Sequence, residues 1–166
     1  MLLMPGTSEI DRRHLIKCII GCCCYRNLLP INNILSMNPK GITIRSSPYS
    51  VKETMDRLIV ILQERKVTIY ARINQQSEVH NSGKEIPALE FILFGNPKAG
   101  GLIMAENPIA ALDLPLKIIA WEDAAKTVWL AYNKASYLEE RYALRHDLMQ
   151  PVDLDPLVTN LINKPR

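Results

Sequence analysis

From Gly41 onward the chain is written in short runs that switch between two periods. Ile42 and Ile44 alternate with Thr43 and Arg45, which predicts a half-buried strand over residues 41–46. Ser50 with Glu53 three residues later is a capping-box signature. Behind it Val51, Met55, Leu58, Ile59 and Leu62 recur at helical spacing, with Lys52, Asp56, Arg57 and Glu64 opposite, so a helix is expected over 51–65. Val67, Ile69, Ala71 and Ile73 then alternate with Thr68, Tyr70 and Arg72, the mark of a second strand over 67–74. The opening reads as β-α-β.

The stretch from Asn74 to Glu85 is polar, contains Gly83, and reads as a loop. Leu89 to Phe94 is apolar on nearly both faces, which predicts an interior strand over 89–94. Asn96-Pro97 and Asn107-Pro108 repeat one device, an amide cap followed by proline at the first helical position, where the missing N–H costs nothing. Short helices over 97–106 and 108–112 follow. Two more strands, over 116–121 and 127–132, are joined as a hairpin through the segment from Glu122 to Lys126. Ser136 with Glu139 suggests a second capping box, and Asp155-Pro156 opens a terminal helix carrying Leu157, Val158, Leu161 and Ile162 on one face. The class is α+β: a largely antiparallel sheet of about five strands covered by helices.

The first forty residues differ in kind. Arg12-Arg13 precede an apolar run from Leu15 to Tyr25, Arg26 interrupts it, and Leu28 to Leu35 resumes. Basic then apolar is the order of an export leader, and "DRRHLIK" resembles the twin-arginine motif while departing from it at Asp11 and Leu15. The alternatives are a disordered extension or translation from Met37. A working division is therefore a leader over 1–40 and one α+β domain over 41–166, exported if the leader is a signal and cytoplasmic otherwise. The apolar run is too short and broken to give a stable membrane span.

The whole formal charge of +3 lies in those forty residues, and the rest of the chain is neutral. A neutral body has no counterion-release term to offer a phosphate backbone, which argues against a nucleic-acid partner. All four cysteines, Cys18, Cys22, Cys23 and Cys24, also fall in the leader, with no distant partner for a disulfide framework and no second half-site at zinc spacing.

Candidate chemistry concentrates in "FGNPKAGG", residues 94–101. A phosphate-binding P-loop counted from Gly95 would need lysine and a hydroxyl where Gly101 and Leu102 stand, and a dinucleotide fingerprint fails at Pro97. The stretch is expected to be first a junction, with Asn96 capping a helix and Gly100 and Gly101 allowing close packing against the sheet. Free N–H groups there also favour an anion, so Gly95, Asn96, Lys98, Gly100 and Gly101, with Asp113 and Lys117 nearby in sequence, form the candidate ligand site. His14, His80 and His146 show no paired metal-ligand spacing, and no cofactor or metal is predicted. Glu85 and Glu90 flank a strand and would suit acid–base work if one were desolvated. Trp121 and Trp129 suit either a cross-strand pair or a dimer face.

"SPYSVKETMDRL", "VTIYARIN", "EFILFGNPKAGG", "AALDLPLKIIAWED" and "TVWLAYN", in that order, resemble the bacterial and archaeal family called domain of unknown function 302 over roughly residues 41–145. The resemblance implies an α+β fold of the TATA-binding-protein type, with a curved antiparallel sheet and pairing as homodimers, and no established activity. The chain departs from the family where histidine often follows "ARIN": Gln75 and Gln76 intervene and the histidine is His80. The expectation is a small dimeric module that binds a small anionic or amphipathic ligand. The alternative is a small enzyme using Lys98, Asp113 and Lys117 around the 95–101 turn.

Overall fold

A computed structural model describes residues 39–163; the leader's readings lie outside them. Five strands, β1 (Ile42–Ser47), β2 (Thr68–Asn74), β3 (Leu89–Gly95), β4 (Leu116–Glu122) and β5 (Val128–Asn133), form one sheet in the order β1-β5-β4-β3-β2. Every neighbouring pair is antiparallel. The predicted β-α-β opening is present in sequence, but its two strands lie on opposite edges of the sheet. The intervening helix α1 (Val51–Glu64) therefore crosses the sheet and packs on β2, β3 and β4.

The predicted cap of α1 is half made. Ser50 Oγ accepts the Glu53 N–H at 3.2 Å, while the Glu53 carboxylate takes a hydrogen bond from Arg57 instead of reaching back. Met55, Leu58 and Leu62 on α1 are fully buried against Ile92, Ile118 and Leu130 of the sheet. The terminal helix α5 (Asp155–Asn163) lies beside α1 and adds Val158 and Leu161 to the same core.

Two expectations need correction. The polar segment after β2 is helical: α2 spans Gln75–Asn81, because Asn74 Oδ1 accepts the Ser77 N–H at 2.9 Å and supplies the missing cap. The second capping box is not used, since α4 (Ala135–Tyr142) starts two residues earlier than a Ser136 cap requires and has Lys134 at its cap with no side-chain hydrogen bond. The chain enters β1 through Gly41, at φ +80°, where a β-carbon would meet the Tyr137 ring at 2.1 Å. Only glycine fits there.

Candidate functional site

Strand register sorts the sheet into two unlike faces. Toward α1 and α5 point Ile92, Ile118 and Leu130, all fully buried. The opposite face carries, in one row across the strands, Ile73, Phe91, Ile119, Ala131 and Ile44. A second row there holds Leu89, Trp121 and Trp129, and a third holds Ala71, Leu93 and Lys117. Most of these residues stay half-buried among the described residues, and Lys117 is exposed. Helices thus cover one face of the sheet.

At one end of the sheet, marked by Gly95, Leu116, Asn133 and Ile42, the chain builds walls around this open face. Helix α3 (Pro97–Glu106) begins at Pro97, with Asn96 Oδ1 accepting the Lys98 N–H at 2.9 Å as expected. A 3-10 turn over Pro108–Leu112 follows, capped in the same way by Asn107 Oδ1 on the Ile109 N–H at 3.0 Å. The chain then returns through Asp113-Leu114-Pro115 to β4.

That return segment separates two cavities. The larger, about 450 Å³, lies on the open sheet face between Leu93, Lys117, Ile119 and Ala131 on its floor and Leu112, Leu114 and Pro115 on its wall, with Asp113 and Asn133 at its polar edge. The smaller, about 230 Å³, lies on the other side of Leu114-Pro115, between Tyr70, Gly95, Asn96, Ala99, Gly100 and Met104.

The predicted site residues are divided accordingly. Asp113 and Lys117 line the larger cavity, whereas Gly95, Asn96 and Gly100 line the smaller. Lys98 and Gly101 line neither. Asp113 is already engaged: Oδ2 accepts the Tyr142 hydroxyl at 2.6 Å and lies 3.3 Å from Arg141 Nη1, and Oδ1 accepts the Asn133 amide at 3.3 Å. Burial first, then the Asp113 carboxylate, pushes the Tyr142 phenol up from its ordinary pKa, so it remains a donor. Lys117 has no ion pair among the described residues; its Nζ stands 5.2 Å from the centre of the Phe91 ring. The larger cavity therefore presents a neutralised carboxylate and an available ammonium.

The packing role expected of the glycine pair is not what the structure shows. A β-carbon built on Gly100 or Gly101 meets no heavy atom within 4 Å, so neither residue is needed for packing against the sheet. Both sit inside α3, where glycine is a poor helix former.

The other candidates separate as well. Glu90 lies on the covered face at 7% exposure and is bound at 2.7 Å by Arg72, which also reaches Asp56. Glu85 pairs with His80 at 2.6 Å in an exposed position. The two carboxylates have different partners, and neither lines either cavity. Trp121 and Trp129 do face each other across β4 and β5, and Trp129 Nε1 donates to Asp123 at 2.8 Å.

Sequence reading missed Leu93, Ile119 and Asn133, although a signal existed. In a strand of unbroken apolar residues every second side chain must face away from the first core. Tyr70 was missed because a bulge between Ile69 and Ala71 breaks the alternation there.

Among the described residues, a helix-backed antiparallel sheet with one open apolar face and cavities at its end defines a domain of the α+β class. Residues 42–158 match the family described as Domain of unknown function DUF302, and the chain belongs to that family. The crystal structure of an uncharacterized conserved DUF302 protein from Bacillus stearothermophilus has the same fold, with a TM-score of 0.63 and 15% identity over 77% of this chain and 100% of that one. The chain is also similar to the protein named fluoride-specific ion channel FluC 1 of Brucella suis, at 31% identity over 124 residues, 75% of this chain and 48% of that protein. The FluC 1 protein of Brucella abortus matches at the same identity and length over 45% of its own chain. The chain thus spans about half the length of the curated relatives it matches. No helix among the described residues is long and apolar enough to cross a membrane.

Proposed function

We propose that the protein is a dimeric binding module whose larger cavity takes a small amphipathic anion. The observation that carries this reading is the pairing of an apolar floor, Leu93 and Ile119, with one available ammonium, Lys117, in a cavity of about 450 Å³. That volume falls within the range of about 300–1,000 Å³ usual for small-molecule sites. An alkyl or ring portion lies on Leu93, Ile119 and Leu114, and a carboxylate or similar head meets Lys117. Asp113 shapes the edge of the site without repelling the anion, because Arg141, Tyr142 and Asn133 already satisfy it.

The remainder of the open face, with Trp121, Trp129, Leu89 and Ile73, is assigned to contact with a second copy. Half-buried aromatic residues in register are the kind of surface that interface cores use. Trp129→Asp should convert a dimer to a monomer in sedimentation equilibrium.

The enzyme alternative has less support. Lys98 lines neither cavity and stands apart from the Asp113–Lys117 pair it would need. The curated relatives' name raises fluoride as an anion, but an ammonium over apolar residues suits a head-and-tail ligand better than a bare halide, which gains nothing from Leu93 or Ile119.

Thermal denaturation with acetate, hexanoate, octanoate and sodium fluoride tests the proposal. Stabilisation should grow with chain length, by mass action, and shrink in Lys117→Ala. A response to fluoride alone, or one equal for acetate and octanoate, contradicts it.

A further inference from the structure

We infer that the smaller cavity is a second, separate site, built for a flat aromatic ring that carries a hydrogen-bond acceptor. Its walls are rigid and rich in C–H groups: Pro97, Pro115 and Pro151, with the exposed Tyr70 ring on one side and the Met104 thioether on another. Proline faces and methionine sulfur pack favourably on aromatic rings, and the sulfur contact prefers the ring edge. Its volume of about 230 Å³ sets the size. An apolar cavity of about 150 Å³ already admits benzene, so a one- or two-ring molecule fits.

The orientation comes from Asn96. Its Oδ1 is committed to the Lys98 N–H, which leaves the amide nitrogen of this cavity-lining residue as a donor with no partner among the described residues. An acceptor atom on the ring completes that amide.

Gly100 supplies the independent observation. It lines this cavity, yet a β-carbon there meets nothing within 4 Å, and its helical position does not require glycine's backbone freedom. A residue that weakens its own helix and relieves no clash leaves the helix backbone bare on the side of the cavity. A flat ligand uses that bareness, since it can approach the α3 backbone more closely than any side chain allows. The inference does not depend on the ligand proposed for the larger cavity, because Leu114-Pro115 stands between the two.

The test is a titration of the methyl-labelled full chain with quinoline, followed by NMR. Cyclooctanone, a puckered molecule of similar size that also carries an acceptor, serves as the comparison. Quinoline should shift the Met104, Leu116 and Val152 methyls saturably, and cyclooctanone should bind about tenfold more weakly. Gly100→Leu should weaken quinoline about tenfold by occupying the space. Tyr70→Ala, at an exposed site where misfolding is not in question, should weaken it several-fold, and Lys117→Ala should leave it unchanged. The inference is overturned if quinoline shifts Leu93 and Ile119 instead, if cyclooctanone binds equally well, or if neither Gly100→Leu nor Tyr70→Ala alters binding. Failure of octanoate to bind the larger cavity would leave each of these results as it stands.

Discussion

Ile118 and Ile119 are neighbours in one strand, yet the first is fully buried and the second is half-exposed on the floor of a cavity. Ile92 and Leu93 on the adjacent strand repeat the contrast. The two faces of this sheet are written in the same residues, and what separates them is the company each keeps. One face meets α1 and α5. Among the described residues the other meets the short wall from Leu112 to Pro115 at its cavity end. Apolar character alone therefore says that a face must be covered, and not by what.

The largest expected effect tests that contrast directly. Ile118→Ala opens a hole in a closed core and should cost about 3–4 kcal/mol in urea denaturation. Ile119→Ala removes the same atoms from an open face and should cost only about 1 kcal/mol. Equal losses would mean that the two faces are equally covered.

Next comes the buried carboxylate of the covered face, Glu90, and the Arg72 guanidinium that holds it. Arg72→Ala leaves the Glu90 carboxylate buried at 7% exposure without its cation and should cost about 2–3 kcal/mol. Replacing both residues by leucine should recover much of that loss, as for other buried pairs.

At the walled end, Asn96→Ala removes the α3 cap and should cost about 1 kcal/mol. Lys98→Ala, exposed and outside both cavities, should leave stability unchanged in the same denaturation series.

A smaller effect lies in the acid limb. The Asp56 carboxyl is held below its ordinary value of 3.8 by Lys52 first and Arg72 second. A lowered folded pKa adds stability that is fully present above the unfolded value and is lost as pH falls through the folded one. Asp56→Asn should therefore flatten the stability profile below about pH 4, by about 0.5 kcal/mol, since solvent screens a half-exposed pair.

Strands β1 and β2 and helix α1 were legible in the sequence because their spacing repeats one period, and β3, β4 and β5 because each is a short apolar run bounded by turn residues. Both Asn-Pro caps were legible because each rests on a local hydrogen bond. Helix α2 was not, since its residues Gln75–Asn81 have no buried side chain and their signal is one cap at Asn74. The candidate site was half legible. Lys117 and Asp113 share a cavity, but Leu93 and Ile119 join them through strand pairing across long stretches of chain, which no local pattern carries. The glycines of α3 misled because glycine usually marks a turn or a close contact, and here it marks open space.

On the proposed function, the open face, and not the covered one, receives an amphipathic anion at Lys117. Titration of methyl-labelled protein with octanoate, read by NMR, addresses both parts at once. Octanoate should give saturable shifts at Leu93, Leu114 and Ile119, none at Ile92 or Ile118, and bind several-fold more weakly to Lys117→Ala. Shifts of equal size on both faces, or an affinity indifferent to Lys117, would contradict the proposal.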